Sequence, residues 1–220
     1  MCSAASKDSY VGTIPGREVA IRMSTSLPQV FLARHGETAW SLSGQHTGNT
    51  DLPLTLRGEQ NARRLGMRLQ GQVFTKVWTS PLQRAKRTCE LAGFGAVAEI
   101  DPDLLEWNYG EYEGLTSAQI LANRPDWQLF RDGCPGGETP VQVAARADRV
   151  VQRVRAVGGT VLLFSSGHFL RMLGTRWLGL AAQEGRCFLL GTASLSILGY
   201  EHNAAEPVIR LWNDTHHLES

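Results

Sequence analysis

Three short apolar runs in this chain each stop abruptly at polar residues that can bind or attack an anion. Val30–Ala33 gives way to Arg34-His35-Gly36, Val77–Thr79 to Ser80-Pro81, and Thr160–Phe164 to Ser165-Ser166-Gly167. Runs this short and apolar read as strands buried on both faces, as in parallel sheets covered by helices. Helical signals fill the gaps between them, so the alternation predicts a layered α/β fold. Ser80-Pro81 reads as an N-cap with proline at the first helical position. Two capping boxes open further helices: Thr116 with Gln119, closed by Pro125, and Thr139-Pro140 with Gln142. The second helix keeps Val143, Ala147, Val150, Val154 and Val157 on one face before Gly158-Gly159. Arg146, Arg149 and Arg153 fall on its other faces and read as solvated surface in preference to an anion patch. Ala193–Tyr200 and Val208–Trp212 predict two late strands joined by a turn around His202–Glu206.

The 220 residues suffice for one substantial core, and neither an internal repeat nor a linker divides them. We expect a flexible leader over 1–26, a single domain over 27–213 and a polar tail over 214–220, in which His216 and His217 read as disordered. The leader is polar, with Gly12, Pro15 and Gly16, and lacks the apolar stretch of a signal peptide. A net charge of +1 creates no overall field, so nucleic acid and acidic membranes gain no support as partners. Cys2, Cys89, Cys134 and Cys187 are scattered and read as reduced thiols of a cytoplasmic protein, monomer or homodimer. No Cys/His/Asp/Glu set has metal-ligand spacing.

Ligands of open α/β sheets sit at the carboxyl ends of the strands. That places Arg34-His35, Arg84 and Ser166-Gly167-His168 on one rim. Two guanidinium groups and an imidazole suit a phosphate dianion. Neutral imidazole attacks without first losing a proton, and a neighbouring arginine helps keep it neutral. A phosphate monoester leaves as a poor alkoxide and needs an acid. Glu106, among Leu104, Leu105 and Trp107, is the candidate, because desolvation there would keep it protonated. Trp107 and Tyr109 divide evenly between core aromatics and ligand contacts, and His46 between pocket border and solvated loop. Glu138 reads first as a partner of the following helix N-terminus.

Leu32-Ala33-Arg34-His35-Gly36-Glu37-Thr38 resembles the signature of the phosphoglycerate mutase branch of the histidine phosphatases. Gln45 to Thr55, Thr79 to Ala85, Glu106 to Gly114 and Gly137-Glu138-Thr139 are similar to that branch in order and spacing. The resemblance runs from about Val30 to Trp212. It implies a three-layer αβα sandwich with a mostly parallel central sheet, and a small phosphorylated metabolite as substrate, with no metal and no cofactor. It makes His35 the phosphorylated nucleophile, Glu106 the proton donor and acceptor, and Arg34 and Arg84 the phosphate grip. Thr47 and Gly48 would line the substrate pocket, with Tyr109 beside the acid. Ser41 replaces an asparagine of the mutases, and its hydroxyl could still donate. One departure matters most: Ser166 stands where the family places its second catalytic histidine. His168 matches the adjoining position, after Gly167, and does not replace it. The pattern is closest to sugar-bisphosphate and broad-specificity acid phosphatases. A phosphoglycerate mutase is the alternative, disfavoured because Ser117 falls near that enzyme's lysine and 123–133 lacks paired arginines. A phosphate-ester-binding protein with little turnover is the third reading.

Overall fold

The computed structural model describes residues 27–219, and the expected leader over 1–26 lies outside them. Six strands form one sheet: β1 (Val30–Arg34), β2 (Lys76–Thr79), β3 (Ala98–Ile100), β4 (Val161–Ser165), β5 (Leu195–Tyr200) and β6 (Pro207–Asp214). Their order is β3-β2-β4-β1-β5-β6. β1, β2, β3 and β4 pair in parallel, and β5 alone runs against its neighbours β1 and β6.

Alternation along the strands explains the layers. Val30, Leu32, Val161 and Leu163 point to one face, where they meet Val143, Ala147, Val150 and Val154 of α6 (Pro140–Val157) and Phe169 and Leu173 of α7 (Gly167–Trp177). Phe31, Ala33, Leu162 and Phe164 point to the other, against Leu65 of α2 (Leu56–Arg68) and Cys89 of α3 (Gln83–Leu91). Side chains on a strand change face at every residue, so an unbroken apolar run needs helices on both sides. The result is the three-layer αβα sandwich.

The capping boxes at Thr116 and Thr139 form as read, opening α4 (Ser117–Asn123) and α6, and Gly158 ends α6 in the left-handed region at φ 66°. α1 (Ala39–Ser43), capped by Thr38 and Ser41, and α5 (Leu129–Asp132) were not foreseen. Three expectations are corrected. Ser80 does not cap α3, which starts at Gln83, whose amide donates to the Asp51 carboxylate instead. β5 begins at Leu195 because Ala193 takes φ 55°, outside strand geometry. The last residues are not a free tail: β6 reaches Asp214, His216–Leu218 form a 3-10 turn, and His217 Nε2 lies 3.0 Å from the Ala193 carbonyl.

Candidate active site

A cavity of about 260 Å³ opens at the carboxyl ends of β1 and β4, walled by Arg34, His35, Glu106, Tyr109, His168 and Arg171 among others. His35 follows β1 directly. Its backbone is fixed on both sides, its amide donating to Ser165 and its carbonyl accepting from Ala193. Its Nδ1 lies 2.7 Å from the Gly36 carbonyl, so that nitrogen carries the proton and Nε2 keeps its lone pair. Burial, then Arg84 and Arg34, push the imidazole well below its ordinary pKa, so it is neutral. Gly36 is required here: a Cβ on it would lie 2.5 Å from the Gly58 carbonyl, where α2 crosses the loop.

Glu106 is buried, yet its carboxylate does not sit among apolar groups. Oε1 accepts from the amides of Trp107 (2.9 Å) and Phe169 (2.7 Å), and Oε2 from that of His168 (3.0 Å). Two of those donors belong to the first turn of α7, whose N-terminus favours an acidic group. The expectation of a purely desolvating environment is therefore corrected. A brace holds the loop that carries Glu106. Arg146 pairs with Glu138 at 2.8 Å and donates to the carbonyls of Asp103, Leu105 and Glu106. Arg149 and Arg153 pair with Asp103 nearby. Arg146 alone departs from the solvated reading, being buried in this brace, whereas Arg149 is exposed and Arg153 half-buried; Glu138 serves Arg146 and the Asn108 amide.

Arg34 lines the cavity and donates to the Leu190 carbonyl, while its Nε is buried without an acceptor. Gly167 lets that guanidinium approach, since a Cβ there would come within 3.1 Å of Nε. Arg84 is fully buried behind the wall. Its terminal nitrogens donate to the carbonyls of Thr47, Gly48 and Thr50, and its Nε is also unpaired. Thr47 lines the cavity; Gly48 does not, being packed against Trp107 and Glu113. The Ser41 hydroxyl reaches the cavity wall but is engaged with Thr38. Ser166 is buried outside the wall, and its Oγ has no partner. Tyr109 OH and His168 Nδ1 lie 2.5 Å apart. Burial drives the His168 pKa well down, with the charge of Arg171 adding to it, and drives that of Tyr109 well up. His46 packs at a tilt against Tyr109, ring centroids 4.8 Å apart, and borders the cavity, which decides between its two readings.

Sequence reasoning missed Trp40, Gln45 and Arg171 in the wall. Only Arg171 had a legible signal, four residues past Gly167 on the same helix face. Residues 30–215 match the model of the histidine phosphatase superfamily, branch 1. The chain belongs to that family. It is 43% identical over 183 residues to an acid phosphatase of Mycobacterium tuberculosis, covering 81% of this chain and 89% of that protein. It is 30% identical to sedoheptulose 1,7-bisphosphatase of Saccharomyces cerevisiae, covering 86% and 94% respectively. A solved structure of an open reading frame from M. tuberculosis superposes with a TM-score of 0.80 at 40% identity, covering 84% of this chain and 97% of that one.

Proposed function

We propose that this chain hydrolyses small phosphomonoesters, sugar phosphates or bisphosphates, through a phosphohistidine on His35 and without a metal. The observation that carries the reading is the neutral imidazole with Nδ1 bound to Gly36, which leaves Nε2 as the nucleophile at the wall. In this reading Arg34 binds the phosphoryl oxygens. Arg84 holds the 47–50 loop and contributes positive charge beside His35. The buried, unpaired Nε–H of Arg34, at the cavity wall, is a donor that an oxyanion satisfies. Glu106 protonates the leaving alkoxide and then takes a proton from the water that discharges the phosphohistidine. Oε2, with one amide donor against two on Oε1, is the oxygen with capacity for that proton. Thr47, Ser41, Tyr109, Gly167 and His168 shape the substrate pocket.

Residues 27–218 act as one domain, since all six strands share one sheet. The free thiols of Cys89, Cys134 and Cys187 favour a reducing, cytoplasmic setting. The test is rapid quench of protein mixed with a phosphorylated sugar, followed by mass spectrometry. A phosphorylated His35 peptide is expected, lost together with turnover in His35→Ala. Turnover that survives in that variant overturns the assignment.

A further inference from the structure

The turn that precedes β5 holds Arg34 and His35 in place. The Ala193 amide donates to the His35 carbonyl (2.9 Å), the Ser194 carbonyl accepts from the Arg34 amide (3.1 Å), and the Leu190 carbonyl accepts from the Arg34 guanidinium. Pairing of β5 with β6 stops at Leu195 and Asp214, so backbone groups ahead of it need other partners. Ala193 is also a fully buried non-glycine residue in the left-handed region, at φ 55°. Such a conformation persists only where its surroundings impose it.

Residues 212–217 supply those surroundings. The Trp212 indole donates to the Leu189 carbonyl (2.7 Å), the Asn213 side-chain oxygen accepts from the Gly191 amide (2.6 Å), and His217 Nε2 donates to the Ala193 carbonyl (3.0 Å). A carbonyl only accepts, so Nε2 carries the proton of that ring. None of the three side chains lines the cavity. Their segment is anchored in turn to α2, where Arg64 donates to the Leu218 carbonyl (3.0 Å) and Arg68 pairs with Asp214 (3.2 Å). A single residue, Ala193, separates the His217 hydrogen bond from the one on the His35 carbonyl. We infer that His217 is a positioning residue for the nucleophile: by holding Ala193 in its left-handed conformation it fixes the backbone, and so the aim, of His35. This rests on the phosphatase reading for the role of His35. In-line attack is sensitive to placement, and a shift of about 1 Å can cost about 10²-fold in rate. The attraction of arginine charge for a phosphate falls only as the inverse of distance, so binding tolerates the same shift. Loss of the His217 hydrogen bond therefore reaches kcat and leaves KM nearly untouched.

Two substitutions in the full chain separate the hydrogen bond from the bulk of the ring. His217→Phe keeps an aromatic ring and loses the donor, whereas His217→Gln returns an amide N–H close to where Nε2 stood. Hydrogen–deuterium exchange of the peptides spanning 189–194 and 31–36 reads the backbone, and steady-state turnover of p-nitrophenyl phosphate reads the chemistry. In His217→Phe, exchange in those two peptides should quicken about tenfold or more while the rest of the sheet is unchanged. Its kcat should fall about tenfold or more with KM within about threefold, and His217→Gln should restore both readouts to within about threefold. Unchanged exchange or unchanged kcat in His217→Phe overturns the proposal, as does a Gln variant no better than the Phe variant. Faster exchange in every peptide alike, or a Phe variant that does not fold, marks a histidine that only supports the fold and overturns it too. If the unmodified chain turns over no phosphomonoester, the phosphatase reading fails, while the exchange data still decide whether His217 fixes the His35 backbone.

Discussion

At the scale of single residues, the site runs on two imidazoles kept neutral. Burial with Arg84 and Arg34 does this for His35, and burial with Arg171, His46 and Arg34 for His168. An unfolded imidazole takes a proton near pH 6.5, whereas these remain neutral in the native state. Below about pH 6.5 the unfolded chain therefore binds more protons, and stability falls as pH drops through that value while being fully present above it. Urea titrations between about pH 7.5 and 5.5 should show a falling midpoint, with a smaller fall in His168→Asn. A flat midpoint would contradict neutral burial. Ser166 gives a second prediction. Its hydroxyl is buried, unpaired and outside the cavity wall, so it delivers no donor to the transferring oxygens. Ser166→His should raise kcat by about 10²-fold with KM changed only modestly, because a preorganised donor acts mainly on the transition state. An unchanged kcat in a folded variant would show that the position is not catalytic. His35, Arg34 and Glu106 were legible because each ends or follows a motif of fixed order. The restraint of the Ser41 hydroxyl by Thr38 was not, since serine stands at the third helical position in place of the Glu or Gln that marks a capping box in sequence.

At the scale of elements, Glu106 depends on packing that sequence periodicity could not reveal. The register of α6 showed which residues face the sheet, but the partners of Arg146 lie up to 43 positions away in the chain. Such contacts leave no local pattern. Strand β3 escaped notice for a related reason: it is a three-residue edge, mostly exposed. The capping boxes at Thr116 and Thr139 were readable because donor and acceptor sit three residues apart. The two kinds of feature differ in energy as well. Thr139→Ala removes one cap and should cost about 1 kcal/mol. Arg146→Ala strips the partner from a mostly buried Glu138 carboxylate and unsatisfies three carbonyls below Glu106. It should cost about 3 kcal/mol and also depress kcat, as the acid loses its support. Denaturant unfolding of the two variants side by side checks the order, and a loss for Arg146→Ala no larger than that for Thr139→Ala would remove the brace from the account.

At the scale of the whole molecule, the apolar runs dictated a sheet covered on both sides, and the parallel strands then brought their carboxyl ends to one rim. The direction of β5 sends its far end, and the turn that follows, to the opposite edge, because Leu195 pairs with Ala33 and Leu198 with Val30. That turn holds Glu201, His202 and Glu206, the group among the described residues whose donor atoms lie close enough to share a metal ion. The group is exposed and stands at the wrong end of the sheet to touch the cavity. At the rim, positive charge comes instead from Arg34, Arg84 and Arg171 around a neutral His35, opposed directly by Glu106. Fixed guanidinium groups can neutralise a phosphoryl dianion and orient it for attack, the two services a divalent ion performs in metal-dependent phosphatases. Chelation should therefore leave kcat and KM unchanged, and any ion captured at Glu201, His202 and Glu206 should be released without effect on turnover. Steady-state rates on one phosphorylated sugar, before and after exhaustive dialysis against a chelator, decide the matter: a loss restored by a divalent cation would refute catalysis by His35 with arginines alone.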